Sequence, residues 1–296
     1  MSIARKRIVT SRARPSITAA QTRRLLPKLW RHRGARCGLI LGSGLVLFAL
    51  IGVVWTPYEP DWPDYAAALQ PPSAAHLLGT DDTGRDLLSR LMDGAHRSLG
   101  AAAVVLVGVF GIGLIYGTLA GLLGGVVDKL MMRFADVMMS LPGLVLAFAV
   151  IGILGPGLLN LLIALIVADW AWYARLARSM AMGSRNRPDV IAARMAGVSG
   201  PRIVLGHILP GIALNLCVVA SLALGGMMGA ISGLSFIGLG VQPPLAEWGA
   251  LLSGARLYFA IAPWLLWGPA VMIFLSVLSA NLISNGLRDV LAWEGR

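Results

Sequence analysis

The side chains able to do chemistry are few and unevenly placed. The 296 residues include 14 acids, 25 Lys and Arg, four His and two Cys. Seven of the acids (Glu59, Asp61, Asp64, Asp81, Asp82, Asp86 and Asp93) fall between residues 57 and 97, with three arginines among them. Clustered carboxylates suggest a catalytic centre, yet no His, Cys or second motif accompanies them at ligand spacing. Asp136 and Asp169 lie inside apolar runs, where a pair of aspartates suggests an intramembrane hydrolase. They stand in unrelated contexts, and the chain has no Gly-x-Ser-x-Gly and no His-Glu-x-x-His. Its three lysines, Lys6, Lys28 and Lys129, lie outside any Gly-x-x-x-x-Gly-Lys-Ser/Thr loop, so nucleotide phosphates are not held that way.

The elements that must carry these side chains are membrane spans. Hydrophobic residues make up 57% of the chain and charged residues only 13%, against about 25% in a soluble domain. Apolar runs long enough to cross a bilayer occur at about residues 37–55, 98–121, 134–154, 158–177, 211–234 and 263–285. The sequence therefore predicts an all-α polytopic membrane protein of six transmembrane helices. Pro142 is expected to kink the third span. Gly113, Gly117, Gly121 and Gly125 form a stripe at four-residue spacing, and so do Gly225, Gly229 and Gly233, as close helix packing requires. Residues 1–36 hold eleven Lys and Arg and no acid, which matches the net charge of +11. Such a tail suits anionic lipid and a cytoplasmic N-terminus better than nucleic acid. The acidic 57–97 loop then lies outside. Cys37 and Cys217 are expected as free, buried thiols. No cleavable signal peptide is expected. The chain divides into a basic tail (1–36), a first helix with its external loop (37–97), a core transmembrane domain (98–290) and a short end (291–296).

Between the fourth and fifth runs lies the soluble stretch Asp189–Pro210. Pro188 and Asp189 suit a first helical turn, and Ile191, Ala192, Met195 and Ala196 then share one face. Gly197 ends that helix or admits a close backbone. Ser199 or Gly200 can cap a second short helix, with Pro201 in its first turn and Pro210 closing it.

This stretch resembles the coupling motif of binding-protein-dependent ABC importer permeases. Ala192-Ala193, Gly197 and Ile208-Leu209-Pro210 match at the motif's spacing, with Ile191 where a Glu is usual. Two further strings are similar to the dipeptide, oligopeptide and nickel branch of that family. One is Leu78-Gly-Thr-Asp-Asp-Thr-Gly-Arg-Asp-Leu-Leu-Ser-Arg90. The other is Leu234-Ser-Phe-Ile-Gly-Leu-Gly-Val-Gln-Pro-Pro244, followed by Glu247-Trp248-Gly249. Gly286-Leu-Arg-Asp289 resembles the family's C-terminal string, with Asn285 where an Asp is usual. The likeness runs from about residue 75 to 290.

The resemblance implies the fold of a type I ABC importer permease in the bacterial inner membrane, with both termini and the coupling loop cytoplasmic. It implies a second homologous permease, two ATPase subunits and an extracytoplasmic substrate-binding protein as partners. No catalytic residue, metal site or cofactor is expected in this chain, because ATP and Mg belong to the ATPase subunits. A passive channel would have no use for the coupling stretch. Ala192, Ala193, Met195, Ala196, Gly197, Ile208, Leu209 and Pro210 are the expected coupling residues. Asp169, Trp172, Tyr173, Met227 and Met228 are candidates for the translocation path. Asp169 also admits a purely structural role, bonded to a neighbouring helix or placed near the interface. Among cargoes in this branch, the run Asp169–Arg175, the Met227-Met228 pair and the lack of an acid before Leu234 resemble the nickel and metal–chelator members. Di- and oligopeptides are the alternative. His32, His76, His96 and His207 all fall outside the spans, so the cargo is expected to cross as an organic chelate or weakly held.

Overall fold

The structure, a computed structural model, describes residues 29–294, with side chains described from 29 to 290. Most of the basic tail, and the side chains of the short C-terminal end, lie outside the described residues. The long helices are α1 (Arg33–Val54), α2 (Leu87–Leu123), α5 (Leu158–Ser184), α8 (Leu209–Phe236) and α10 (Trp264–Glu294). Shorter ones are α3 (Gly125–Ser140), α4 (Gly143–Leu154), α6 (Pro188–Met195), α7 (Gly200–Ile203) and α9 (Trp248–Ala255). Among the described residues there is no strand, only an isolated bridge between Thr80 and Asp86. Five helices are long and apolar enough to cross a membrane, and the pair α3–α4 accounts for a sixth passage. The sequence order of spans therefore holds.

Three elements depart from expectation. The helix of the second span starts at Leu87 rather than Ser98. Its 37 residues extend ~55 Å, against ~30 Å of hydrocarbon, so the first turns stand clear of the bilayer and carry Arg90, Asp93, His96 and Arg97. The third span is not one kinked helix but two helices meeting at 89°. Proline disfavours a helical conformation in the residue before it. Leu141 is accordingly extended (ψ 141°), Pro142 follows suit (ψ 130°), and two extended residues in succession turn the chain. Nor does Pro210 close a helix. The chain is helical from Gly200 to Phe236, with one π-helical segment at Val204–Ile208 just before the proline. Widening the turn there accommodates a residue that lacks an N–H and would crowd the carbonyl four residues back.

The core is organised on α2 and α5, the most extensively packed helix pair. Gly113, Gly117 and Gly121 lie directly against α5: a Cβ on Gly113 would stand 2.4 Å from the Tyr173 Cβ, and one on Gly121 would stand 2.7 Å from the Arg178 carbonyl. The fourth member of that stripe, Gly125, instead begins α3 with a positive φ and open space around it. In the second stripe only Gly225 is tightly packed, against Asn281, while Gly229 and Gly233 face open space. Both cysteines are free but exposed, not buried. The α1 and α10 helices join at one end of the bundle, where Ser279 Oγ donates to the Gly38 carbonyl (2.8 Å) and His32 Nε2 lies 3.3 Å from Asp289. The coupling loop occupies that same end.

Candidate functional site

The coupling loop is built from local signals. Arg187 is extended ahead of Pro188, which takes the first turn of α6, where no amide is missed. Asp189 sits in that turn and accepts from Arg187 Nε (3.0 Å) and Nη2 (2.7 Å). Burial pushes the Asp189 carboxyl up, but the Arg187 hydrogen bonds and charge, with the amides of Asp189 and Val190, hold it below its ordinary range. At the far end Gly197 takes φ +76°, its amide donates to the Arg194 carbonyl, and the Val198 amide reaches back to Ala193. That is a Schellman ending. A Cβ on Gly197 would meet nothing within 4 Å, so within this chain the glycine serves conformation, not close approach.

The loop has an inner and an outer face. Val190, Ile203 and Ile208 are buried, and Ala193 and Val198 pack partly against the core. Ile191, Ala192, Met195, Ala196 and Gly197 are exposed, Met195 at 85%. Of the eight expected coupling residues, Ala192, Met195, Ala196 and Gly197 thus form one outward ridge, with Ala193 half-buried at its edge. Ile208 is 2% exposed and Leu209 is half-buried. These two root the loop in the bundle rather than offering a contact surface, while Pro210 is exposed. Behind the loop, Arg185 donates to the Leu122 carbonyl, and Arg178 grips Asp128 through Nε (2.5 Å) and Nη2 (2.6 Å). The end of α5 is thereby fastened to the α2–α3 corner.

The path candidates separate. Asp169 is half-buried and Trp172 is 47% exposed, so these two share the open face of α5. Tyr173 is 3% exposed and turns inward against Gly113. Met227 and Met228 are both core residues, 6% and 3% exposed, and in this conformation they act as packing groups rather than lining an open surface. Asp169 lies beside the α3–α4 break: its Oδ1 would be 3.4 Å from a Cβ on Gly143. Asp136, the other aspartate of the hydrolase alternative, is ion-paired to Arg175. Among the described residues no three His, Cys, Asp or Glu side chains gather as a metal-ligand set.

At the opposite end, the two polar strings prove to be one structure. Asp81 closes a turn by accepting from the Thr83 amide (2.9 Å), the Thr83 hydroxyl (2.8 Å), the Arg85 amide (3.0 Å) and Arg85 Nε (2.8 Å). Asp86 caps α2 through Ser89 (2.8 Å) and meets His76 Nδ1 at 3.0 Å. Arg90, 4% exposed, donates to the carbonyls of Pro60 (2.9 Å) and Pro244 (3.1 Å). The fully buried Glu247 accepts from Ser98 Oγ (2.8 Å) and caps α9 through the Ala250 amide (3.0 Å). The Trp248 indole N–H donates to the Leu91 carbonyl (3.0 Å). Asp61, Asp64, Asp81, Asp82, Asp86 and Asp93 are therefore held in turns, caps, ion pairs or, for Asp82, by the Tyr258 hydroxyl. Sequence reasoning identified both strings but not their contact, which joins residues about 150 positions apart. Between them lies a cavity of about 330 Å3 lined by Asp82, Arg85, Arg90, Gln242, Arg256 and Tyr258. Asp82, 3.3 Å from the Tyr258 hydroxyl, raises that phenol above its ordinary range.

Residues 113–292 match the family described as binding-protein-dependent transport system inner membrane component. The chain is 42% identical over 254 residues to the nickel transport system permease protein NikC of Escherichia coli strain K12, covering 86% of this chain and 92% of that one. It is 41% identical over 282 residues to the di/tripeptide transport system permease protein DppC of Pseudomonas aeruginosa, covering 90% and 91%. To the glutathione transport system permease protein GsiD of Pectobacterium atrosepticum it is 38% identical over 271 residues, covering 89% of each.

Proposed function

The chain belongs to the family of binding-protein-dependent transport system inner membrane components, and from that membership we propose a permease whose α6 ridge docks on an ATPase subunit and whose cargo is a transition metal or a metal–chelator complex. It is a multi-pass permease subunit of an ABC importer and not itself an enzyme. ATP hydrolysis takes place on separate ATPase subunits. A substrate-binding protein delivers cargo from outside, and both termini and the coupling loop lie on the cytoplasmic side. A second, homologous permease completes the path.

The observation that carries the docking proposal is the two-faced loop. A rigid helix, fixed at both ends by Pro188 and Gly197, offers Ala192, Met195 and Ala196 outward while Val190 and Ile208 are held inside. Force applied to the ridge is delivered to α5 and α8, the two helices it joins. ATP binding then has only to bias a bistable pair of permeases between inward-facing and outward-facing arrangements.

For cargo, the 42% identity to the nickel permease supports metal, and the lack of any ligand set among the described residues supports passage as a chelate or a weakly held ion. The 41% identity to the di/tripeptide permease supports the second reading, peptides. The test is deletion of this chain, with cellular nickel, cobalt and zinc measured with and without added chelator, beside growth on peptides. Loss of one or more metals is expected. Unchanged metals with lost peptide uptake would overturn the metal reading and leave the permease reading standing.

A further inference from the structure

The transport reading makes no use of α3, and its surface is sorted into three sectors. Asp128 and Ala135 turn inward, with Met132, Met138 and Met139 beside them packed around Trp170. Val126, Leu130, Phe134 and Val137 form a second, outward sector, with Val126 at 70% and Leu130 at 67% exposed. The third sector holds Lys129 and Arg133, both exposed. The two acids of the helix are already engaged, Asp128 by Arg178 and Asp136 by Arg175. Among the described residues neither Lys129 nor Arg133 has an ion-pair partner. An isolated interfacial helix and an anionic bilayer are complementary in this pattern: an apolar face for acyl chains, cations at its flank, no free acid to repel.

The placement agrees. The α3 axis is bent 89° from α4, so the two helices cannot both run along the membrane normal. The N-terminal end of α3 lies at the coupling-loop end, next to the end of α2, whose Leu122 carbonyl accepts from Arg185. A protein interface is the other cover for such a face, and it would give crosslinks to protein in place of lipid.

We propose that α3 is a binding site for anionic phospholipid, with Lys129 and Arg133 on the headgroup phosphate and Val126, Leu130, Phe134 and Val137 among the acyl chains. The site acts on the transporter through three ties. Asp128–Arg178, Asp136–Arg175 and the Tyr116 hydroxyl on the Met131 carbonyl (2.9 Å) fasten α3 to α5 and α2. A bound headgroup thus helps fix the end of α5 that enters the coupling loop. The inference rests on the membrane fold and not on the cargo.

The test uses the assembled transporter in nanodiscs of phosphatidylcholine, with or without phosphatidylglycerol. A photoreactive benzophenone at Leu130 or Phe134 is expected to yield lipid adducts. Native mass spectrometry is expected to show phosphatidylglycerol retained over phosphatidylcholine. The Lys129→Gln/Arg133→Gln double variant should lose about 25-fold of that preference, since each cation near an anionic surface contributes about fivefold. The charge-preserving Lys129→Arg/Arg133→Lys variant should keep it, which controls for damage to the helix. Adducts to the second permease in place of lipid would overturn the proposal and make the face a protein interface. An unchanged preference in the double variant would overturn it as well.

Discussion

Gly117 of α2 lies so close to Ala174 of α5 that a Cβ on the glycine would stand 2.0 Å from the alanine carbonyl oxygen. That oxygen belongs to a helix backbone and cannot swing away. Gly117→Ala must therefore separate the two helices on which the core is built. Overpacking of this kind costs about 1–3 kcal/mol. Gly111, on the same helix, has nothing within 4 Å of such a Cβ. Gly111→Ala should be neutral, or gain up to about 1 kcal/mol of helix propensity. Thermal unfolding midpoints and membrane abundance of the two variants check the contrast, and equal behaviour would contradict the packing described.

The coupling ridge permits a separation of shape from contact. Gly197 needs its positive φ but no space. Gly197→Ala pays about 1–2 kcal/mol for the left-handed conformation, which asparagine tolerates far better. Hydrogen exchange at the Val198 amide should accelerate in Gly197→Ala and stay near normal in Gly197→Asn. Met195→Glu should leave that amide protected while lowering transport per ATP hydrolysed, measured together in proteoliposomes. Full coupling in Met195→Glu would remove the ridge from the docking surface.

Asp169 and Trp172 share the open face of α5, next to the break at Pro142–Gly143. If that face lines the path, Asp169→Asn should lower uptake several-fold while the complex still assembles at normal levels. The measurement is uptake normalised to assembled transporter. Reduced assembly with normal uptake per complex would give Asp169 the structural role instead.

Much of this arrangement is legible in the sequence because its causes are local. Pro188 and Gly197 set the ends of α6 through their own φ preferences. Gly113, Gly117 and Gly121 reveal a packing face through four-residue spacing alone. The same rule misleads at Gly229 and Gly233, because periodicity fixes which residues share a face but not whether another helix lies against it. Pro142 and Pro210 show a second limit. Each is a proline in an apolar run, yet one breaks the chain by 89° and the other is absorbed by a π-helical turn. The outcome depends on how the flanking residues pack, which is not a local property. The inward turn of Tyr173 and the burial of Met227 and Met228 follow from neighbours too. Arg90 on Pro244 and Ser98 on Glu247 are the extreme case, since nothing in either string announces the other.

The Ser98–Glu247 contact can be tested by graded substitution. Glu247 is fully buried and accepts from Ser98 Oγ and the Ala250 amide, while Ser98 Oγ also accepts from the Trp248 amide (3.0 Å). Glu247→Ala leaves the Ser98 hydroxyl and the first turn of α9 without an acceptor, a loss of about 1–3 kcal/mol for each buried group stranded. Glu247→Gln can still cap Ala250 with its oxygen and donate its amide to Ser98. Stability should fall in the order wild type, Gln, Ala, read from thermal midpoints. Identical midpoints for Gln and Ala would mean that shape, not hydrogen bonding, holds the two strings together.

Asp189 makes the pH response of the coupling loop predictable in sign. Its carboxyl is held below the ordinary range, despite partial burial, chiefly by Arg187. A depressed carboxylate contributes stability that is fully present above its unfolded pKa of about 3.9 and is lost as pH falls through the folded value. The loop should therefore keep constant stability across the neutral range and weaken only below about pH 4. The side chain is 43% exposed, so solvent screening keeps the effect small. Amide exchange across 190–195, corrected for intrinsic rates, should show flat protection from neutral pH downward and then a fall. Asp189→Asn should remove that fall and lower the plateau slightly. A loop that instead loosened near neutral pH would be responding to a group other than Asp189.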